Sequence, residues 1–566
     1  MYKFCVRDRQ YSDFSYMDVS SHKIIYLDIN PAENKLFNLD VFDMDDSKNI
    51  TISQSSVRSS QSIPAVLVLE GNKMYGKHKG KFLYRCLPND RKMPTFLIPY
   101  KNKLSFSKKF INKYVTIRYR HWEGKHPAGV LLQNLGDVSL LTSFNEYQLH
   151  CKDLHSSIKG FTKKTMSKLK DRTEDEWIKQ ILSKHSVSDR RKSDIITIDP
   201  AGSKDFDDAF GLINGEDNAV QLSVYIANVP LWLDIMELWG SFSSRISTIY
   251  LPDRNLPMLP RILSDKLCSL QARKNRFAFT ADILINTKTY SIQNVRILNT
   301  IINVRENFVY GTKRQKEYPL FSKVFDIVVG LNTVHKYLDD IQSSHDVIAY
   351  LMIMMNHLCA KKMYEKKIGI YRSVTCRSDT PLPDKISPSM IRFVRAWNSS
   401  GGTYTKFKSV TSHDALGLDL YTHITSPIRR LVDILNIIQL QRSLKTVEPS
   451  IESLIFYNNW INDLSLAHIN NAMKSIRKVQ NDCALLKLCM EDSTVLGSKY
   501  EGFVLDIRSY YKDKFQYTVY IPKIKMVNKL ISKESIDKYR NYTFRLYLFV
   551  DETQLRQKIR LSLCTY

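Results

Sequence analysis

The chain has 566 residues, a length that predicts about three to five domains. Its apolar fraction of 43% and charged fraction of 25% are ordinary for globular proteins, which excludes a fibrous rod and a globally disordered chain. The 83 Lys and Arg residues outnumber the 57 Asp and Glu residues, giving a net charge of +26. Such a charge predicts a polyanionic partner, with nucleic acid first and an anionic membrane surface second, although solubility through charge is an alternative.

Membrane insertion and structural zinc are both disfavoured. The longest apolar run, Val347 to Met355, is far shorter than the roughly 20 residues that a membrane span needs. The charged N-terminus does not fit a signal peptide. The nine cysteines are scattered singly without CxxC spacing, so we expect no zinc site and reduced thiols. We therefore expect a soluble intracellular protein, with the cytoplasm favoured and no membrane partner.

The N-terminal third predicts mainly β-structure. Residues 51–62 are rich in Ser and Gln and predict a loop or linker. From Ile63 onward, four β-branched and aromatic runs are broken by Gly, Asn and Pro, which predicts a small barrel of the OB type. The runs are AVLVLE, KFLYRCL, TFLIPY and KYVTIRYR. The Lys-rich residues 150–190 predict a helical or extended connector.

Residues 71–120 are strongly basic, with 14 Lys or Arg residues and a single acid, Asp90. Aromatic residues are interleaved among the cations, namely Phe106, Phe110, Tyr114 and Tyr119. Cations follow a phosphate backbone and aromatic faces stack on bases, so the cluster predicts single-stranded nucleic-acid binding. The alternative is that the aromatics belong to the core and the cations to a solvated face.

The remaining chain predicts strands over 195–300, helices over 343–367, 426–445 and 451–490, and a second short β-module from Glu501. Its sharpest feature is DPAGSKDFDDAF, residues 199–210, where Asp199, Asp205, Asp207 and Asp208 follow a predicted strand. Clustered carboxylates repel one another unless a cation neutralises them, and Mg²⁺ prefers such oxygen ligands. The segment therefore predicts a metal–phosphate site. A surface turn and a calcium loop from Asp205 are alternatives, and Ala209 and Phe210 disagree with the latter.

A second feature is YTHITSPIRRLVD, residues 421–433. Ser426 is a favourable N-cap and Pro427 suits a first helical turn, which predicts a helix with Arg429 and Arg430 in that turn. Cations at this end oppose the helix dipole, so they need an anion such as a phosphate or the aspartate cluster. The alternative is an arginine pair on a solvated face, and His423 is interpreted as a structural hydrogen-bonding residue.

These two segments, with YLPDRNLPMLPRILSDKLCSL at 250–270, resemble the ribonuclease II/R (RNB) family of 3′→5′ exoribonucleases. The style is similar to the eukaryotic exosome-associated branch and its viral relatives. The resemblance implies an α+β multidomain chain, with a central RNB domain flanked by OB-type barrels. The implied division is a divergent or reduced first cold-shock-like region at 1–62, a second cold-shock domain at 63–155, a basic connector at 156–190, the RNB catalytic domain at 191–492 and a C-terminal OB-fold RNA-binding domain at 493–566.

The resemblance also implies roles for individual residues. Asp199 and Asp208 match the aspartates that hold Mg²⁺, for which Mn²⁺ could substitute. The implied catalytic residues are Asp205, Asp207 and Arg429. The predicted RNA-binding residues, from the resemblance and the basic cluster, are Tyr250, Tyr310, Arg430, Lys108, Lys109, Arg118 and Arg120. The implied activity is processive hydrolysis of single-stranded RNA to nucleoside 5′-monophosphates, by a monomer unless a helicase or larger RNA-decay complex joins it.

The chain departs from the family pattern in several places. The Glu pair expected ahead of Asn356 is missing, a later helical Glu is replaced by Ile476, and Ile437-Ile438 replaces the His-Arg that follows SPIRR. These changes concern substrate affinity, end-product length and processivity, and they leave the aspartates intact. One alternative is therefore an RNB-fold RNA-binding regulator without catalytic activity, and another is a nuclease that acts on DNA or on either sugar.

Overall fold

The computed structural model describes residues 1–101, 110–215, 218–375, 390–391, 393–394, 397, 401–510, 513–551 and 554–564. These residues form two compact units. Unit one comprises 1–155, 251–254 and 475–566, and unit two comprises 156–250 and 255–474. The five-part division expected from the resemblance stays a prediction.

Unit one begins with a five-stranded antiparallel sheet of order β3-β2-β1-β4-β5 in the described residues. Its strands are β1 (Tyr2–Val6), β2 (Phe14–Asp18), β3 (Ile24–Ile25), β4 (Val41–Met44) and β5 (Ile50–Gln54). The prediction of a loop or linker over 51–62 is wrong for most of that stretch. It contains most of β5 and the one-turn helix α1 (Ser56–Ser59), because Ile52 pairs with Phe42 and Val57 is buried in the core.

The second sheet of unit one curls into a ring. Its strands are β6 (Ile63–Leu67), β7 (Lys77–His78), β8 (Lys81–Pro88), β9 (Phe96–Tyr100), β10 (Lys113–His121) and β11 (Ala128–Asp137). The order is β6-β10-β11-β9-β8-β7, and β6 also pairs with β8. This pairing closes the ring, which confirms the predicted small barrel. Helix α2 (Leu141–Cys151) follows it.

Both sheets share one apolar core, and a buried ion pair lies within it. Asp40 is fully buried, and its Oδ2 accepts hydrogen bonds from the Phe37 N–H at 2.8 Å and from the Arg58 guanidinium. The same guanidinium lies over the rings of Phe37 and Tyr119, 4.9 and 5.5 Å from their centroids. Arg58 therefore neutralises a buried carboxylate and connects the first sheet to the barrel.

The aromatics of the basic cluster are mostly structural, so the suggestion that they stack on bases is wrong for Tyr114. That ring is fully buried and stacks on Tyr147 with centroids 4.3 Å apart. Tyr119 packs edge-on against Phe37 under the Arg58 guanidinium. Arg118 and Arg120 are exposed on β10. Lys108, Lys109 and Phe106 lie outside the described residues.

Unit two contains a seven-stranded sheet of order β12-β19-β18-β15-β14-β13-β20 among the described residues. These strands are β12 (Ser188–Arg190), β13 (Ile195–Asp199), β14 (Asp208–Asn214), β15 (Ala219–Ala227), β18 (Asn275–Asn286), β19 (Ile292–Asn303) and β20 (Glu306–Val309). Two short pairs complete the unit, β16 (Ile249–Tyr250) with β17 (Asn255–Leu256), and β21 (Ile370–Ser373) with β22 (Thr403–Lys406). The predicted strand before the aspartate cluster is therefore confirmed as β13.

Helices cover the sheet and occupy the basic connector. Those with their first residue in unit two are α3 (Lys159–Asp171), α4 (Glu174–Lys184), α5 (Val229–Ile235), α6 (Lys313–Lys316), α7 (Pro319–Val334), α8 (Ser344–Glu365), α9 (Leu431–Ser443), α10 (Ile451–Ile461) and α11 (Asp463–Glu491). One face of the sheet packs against α7, α8 and α9 in a continuous apolar core. The helix predicted over 343–367 is confirmed, and the one predicted over 451–490 is two helices that meet at Asn462. None of the helices in the described residues is long and apolar enough to cross a membrane.

The C-terminal part of the chain returns to unit one. After the short helix α12 (Ser493–Gly497), five strands form a sheet of order β25-β24-β23-β26-β27 in the described residues. They are β23 (Lys499–Ser509), β24 (Phe515–Ile521), β25 (Met526–Ser532), β26 (Asn541–Asp551) and β27 (Arg556–Leu563). The predicted C-terminal β-module is confirmed. Its Asp551 pairs with Arg91 after β8, an ion pair within unit one.

We predict that Arg58→Ala destabilises the N-terminal module of unit one by about 3 kcal/mol, because it leaves the buried Asp40 carboxylate without its cation. Hydrogen exchange of the β4 and β10 amides in the full chain measures this change. Arg7→Ala is the matched control, since Arg7 pairs with Asp13 on the surface and its side chain is 80% exposed. Equal exchange in both variants would contradict the assignment.

Candidate active site

Two adjacent strands bring the aspartates to one end of the sheet. β13 and β14 are antiparallel, with Ile195 opposite Gly211 and Ile196 opposite Phe210. The end of β13, at Asp199, therefore lies beside the start of β14, at Asp208. Gly211 permits this close pairing, because a Cβ there would lie 2.7 Å from the Asp194 carbonyl oxygen. The calcium-loop alternative is wrong, since β14 begins at Asp208 where such a loop would continue.

Asp199 and Asp208 are neighbouring carboxyl groups whose like charges repel each other. Burial raises the pKa of each carboxyl group, and their mutual repulsion raises the pKa of Asp208 further. Asp207 and Asp205 also contribute to the raised pKa of Asp199. The Asp199 Oδ2 atom is buried and has no hydrogen-bond partner in the described part of the chain. Two half-buried carboxylates that repel each other form an arrangement that a cation would stabilise.

Asp207 is the most completely fixed of the four. It is 3% exposed, and its Oδ1 accepts a hydrogen bond of 2.9 Å from the Ile428 N–H. Its Oδ2 accepts one of 3.1 Å from the Arg429 Nε. Burial raises its pKa to about 7 against the opposing effect of Arg429. Both oxygens are therefore oriented by a segment more than two hundred residues further along the chain.

The segment that fixes Asp207 is a turn, and the prediction of a helix starting at Pro427 is wrong. Helix α9 begins at Leu431, and Arg430 before it is extended, with φ −139° and ψ 127°. Ser426 therefore does not cap the helix. Its carbonyl accepts hydrogen bonds from the Arg429 and Arg430 N–H groups, and its own N–H donates to the buried Asp433 Oδ1 at 2.7 Å.

Arg430 has a different partner from the one expected. Its guanidinium donates to the Asp433 Oδ1 at 2.8 Å and is mostly buried, whereas the Arg429 side chain is 45% exposed. This ion pair gives Arg430 a partner within the fold, and its predicted RNA contact stays a prediction. Arg429 also donates from Nη2 to the Ser426 Oγ at 2.9 Å, which orients the rest of its guanidinium at the aspartates. The His423 Nδ1 and the Tyr404 hydroxyl share a hydrogen bond of 2.8 Å. This contact agrees with the prediction that His423 is a structural hydrogen-bonding residue.

Both predicted tyrosines lie at the aspartate site. Tyr250, on β16, is 39% exposed, and burial raises its pKa to about 12 with Arg429, Asp205 and Asp207 as charged neighbours. The residues before it pair with the Arg429 turn, since the Thr248 N–H donates to the Arg429 carbonyl at 3.0 Å. Tyr310 follows β20, and its N–H donates to the Asp199 carbonyl at 3.1 Å.

Asp205 is positioned by a residue that the sequence did not single out. The Ser269 Oγ accepts a hydrogen bond from the Phe206 N–H at 3.0 Å and donates to the Lys204 carbonyl at 2.7 Å. The Leu270 N–H also donates to the Phe206 carbonyl at 3.0 Å. Ser269 thus fixes the backbone on both sides of Asp205. In the sequence, Ser269 was marked only by its position within the 250–270 segment.

The donor set fits a hard divalent cation. Among the described residues, no three His, Cys, Asp or Glu side chains already form a metal-binding group. Mg²⁺ does not require one, because it keeps several waters and commonly takes one or two carboxylates plus substrate phosphates. Asp199, with its unpartnered buried oxygen, and Asp208 supply two such carboxylates. Arg118 and Arg120 belong to unit one and are not part of this group.

Comparison with known proteins gives the class of protein to which this site belongs. Residues 187–315 and 389–446 match the RNB domain. Ribonuclease R of Chlamydia pneumoniae is 23% identical over 468 residues, covering 69% of this chain and 67% of that protein. DIS3-like exonuclease 2 of Schizosaccharomyces pombe is 23% identical over 503 residues, covering 71% of this chain and 53% of that protein. The chain thus spans about half to two thirds of the length of these relatives.

Solved structures agree in fold. Mycoplasma genitalium RNase R, in complex with ribose-methylated single-stranded RNA, superposes with a TM-score of 0.70 at 15% identity and covers 99% of this chain and 100% of that chain. Yeast Ssd1, a pseudonuclease, superposes with a TM-score of 0.59 at 14% identity and covers 96% and 80% of the two chains. The chain therefore contains two segments, 187–315 and 389–446, that match the RNB domain. Its resemblance to the ribonuclease II/R family and its α+β multidomain fold, with β-barrel modules toward both ends, are confirmed.

We predict that Ser269→Ala accelerates hydrogen exchange at the Phe206 amide by about tenfold, because it removes one hydrogen bond worth about 1–1.5 kcal/mol. Ser264→Ala is the control, since Ser264 is also buried but its hydroxyl bonds to Asp265 within the helical turn Leu263–Leu267. Exchange at Phe206 that is unchanged, or that is equally fast in both variants, would refute this role of Ser269.

Proposed function

We propose that the chain is a 3′→5′ exoribonuclease that hydrolyses single-stranded RNA processively to nucleoside 5′-monophosphates. The observation that carries the proposal is that the Ile428 N–H and Arg429 both bond to Asp207, beside the mutually repelling carboxyl groups of Asp199 and Asp208. A nuclease needs acidic oxygens and a cation at one scissile phosphate, and this arrangement supplies both. The names of the curated relatives support the same class of reaction.

The chemistry can be divided among the residues of the site. A divalent ion, Mg²⁺ with Mn²⁺ as a substitute, would be held by Asp199 and Asp208 and would supply Lewis-acid activation of water and phosphate. Asp207 presents two oriented carboxylate oxygens that position the attacking water, and Asp205 extends the same acidic surface. The exposed part of the Arg429 guanidinium stabilises the negative charge that develops on the phosphate.

The RNA contacts follow from exposure and charge. Tyr250 is half-exposed beside Arg429 and can stack on a terminal base. Tyr310 lies next to Asp199, just after the strand β20 that pairs in parallel with β13. Arg118 and Arg120 on the barrel, with Lys108 and Lys109, would add electrostatic attraction for the phosphate backbone. Single-stranded RNA is thus the proposed substrate. Association with a helicase or a larger RNA-decay complex, or action as a monomer, also stays a proposal.

A second candidate is an RNA-binding regulator without hydrolytic activity. It is favoured by one fold neighbour that is described as a pseudonuclease. Ile437 and Ile438 are buried in α9, so the positions that carry a polar pair in the family serve the core here. The four aspartates and Arg429 favour the enzyme, because a regulator would gain nothing from burying carboxylates whose pKa values are raised by their surroundings.

The first experiment follows 5′-labelled single-stranded RNA, and a DNA strand of matched sequence, with Mg²⁺ or with EDTA. We expect Mg²⁺-dependent shortening of RNA to a short end product and an intact DNA strand. Asp207→Asn should slow cleavage by at least about a hundredfold while RNA binding is retained. Asp194→Asn is the control, since Asp194 is an exposed carboxyl group just before β13. RNA bound but uncleaved by the parent chain would favour the regulator.

The metal assignment predicts that Asp199→Asn and Asp208→Asn each weaken Mn²⁺ binding to the RNA-free chain by at least about tenfold, since each removes one of two hard oxygen ligands. Titration calorimetry of the full chain measures this affinity, and Asp194→Asn again serves as the control. Unaltered Mn²⁺ affinity in both site variants would exclude these aspartates as ligands, whatever the nuclease assay shows.

A further inference from the structure

The seven-stranded sheet of unit two has an open edge. On one side β19 pairs with β18 from Ile292 to Asn303, but on the other side β12 pairs only with Thr300, Ile301 and Ile302. No other strand in the described residues pairs with Ile292–Leu298, which is about 23 Å of backbone. Proteins usually protect such an edge with Lys, Pro or a covering segment, because its N–H and C=O groups can pair with another chain.

A bulge directs the side chains of this edge toward one groove. Ile285 lies opposite Ile292 and Leu284 lies opposite Asn294, so Gln293 is the extra residue. The bulge keeps Ile292, Val295 and Ile297 on the face that packs against the helices, and all three contact that core while half-buried. The edge therefore presents apolar side chains beside unpaired backbone.

The groove beside this edge has a volume of about 350 Å³. Besides the three strand residues, Leu358 and Leu444 form its apolar floor. Lys361, Lys362 and Glu365 line its wall along one face of α8. Apolar pockets next to an open edge are what an added strand needs, since its backbone binds the edge and every second side chain enters the groove.

The surroundings of the groove are basic. Residues 358–367, at the end of α8 and just after it, and residues 442–445 contain six cations against one acid, Glu365. The cations are Lys361, Lys362, Lys366, Lys367, Arg442 and Lys445. Glu365 pairs with Lys362 at 3.0 Å, whereas Lys361 is exposed and has no ion pair within the described residues. Acidic side chains on an incoming strand would therefore be attracted.

We propose that this edge and groove form a docking site for an extended acidic segment of a partner protein, which adds a strand beside β19. The segment would place apolar and acidic side chains alternately toward the groove. Nucleic acid fits less well, because it offers no amide ladder for the backbone edge and no aliphatic groups for the floor. This surface is separate from the aspartate site, so the proposal stands independently of the nuclease function.

The test uses the full chain and a fluorescent peptide of about ten residues. Thr occupies every second position of the peptide, and Val and Glu alternate at the remaining positions. We expect saturable binding by fluorescence anisotropy. Methylation of alternate backbone amides should weaken binding at least about tenfold, because it removes the edge hydrogen bonds. A peptide with Lys in place of Glu should bind equally weakly, because the groove is basic.

The protein variant Lys361→Glu/Lys362→Glu should weaken peptide binding at least about tenfold and leave RNA cleavage unchanged. Lys163→Glu/Lys164→Glu is the matched control, since this adjacent pair is exposed on α3 outside the groove. The proposal is overturned if the peptide does not bind at about 1 mM, if methylation has no effect, or if the groove variant loses RNA affinity instead. It is also overturned if that variant abolishes self-association of the chain, which would make a second copy the occupant.

Discussion

The candidate site depends on one buried contact, the pairing of the Asp207 carboxylate with the Ile428 N–H and the Arg429 Nε. A buried carboxylate is costly unless both oxygens have donors, and these two donors come from a turn rather than from regular structure. Asp433 fixes this turn, because its carboxylate accepts hydrogen bonds from the Ser426 N–H and the Arg430 guanidinium. The two sequence motifs are thus parts of one hydrogen-bonded network, and neither could keep its geometry without the other.

This network separates the two arginines by function. Arg430 forms an ion pair with the fully buried Asp433, so the Arg430 charge is balanced within the fold. Arg429 keeps nearly half of its side chain exposed and adjoins Asp207, Asp208 and Tyr250. The two adjacent arginines therefore have different surroundings, since Arg429 in the turn pairs with Asp207 and the extended Arg430 pairs with Asp433.

Much of the architecture could be predicted from local patterns. The strands around Ala65, Leu83 and Ile98 and the strand before Asp199 are short β-branched runs, and their periodicity identified them. The start of α9 could not be found in this way. Ser426 and Pro427 are favourable for a helix start, but the hydrogen bond to Asp433 and the bridge between Ser247 and Arg430 hold a turn followed by an extended Arg430, so the helix starts at Leu431. Long-range partners of this kind leave no trace in local propensity.

The same limitation applies to the basic cluster and to Ser269. Tyr114 is aromatic in a cationic run, yet its environment is decided by Tyr147 on the helix that follows the barrel. Ser269 is one serine among many, and its role comes from two backbone groups that the fold brings within reach of its hydroxyl. Sequence patterns identified the charged chemistry of the site, whereas the neutral residues that orient it became visible only through contacts.

The division of the chain into two units has a consequence for synthesis. Unit one combines residues 1–155 with residues 475–566, so its last strands leave the ribosome only after all of unit two has been made. The barrel of β6 to β11 can form early from local pairings. The ion pair between Arg91 and Asp551 can form only after Asp551 has been synthesised, 460 residues later. Contacts over such separations form slowly because the intervening chain must first be ordered. The surface that will receive the C-terminal module therefore stays uncovered until residues 475–566 have been made, and the nascent chain is exposed to misassociation at that stage.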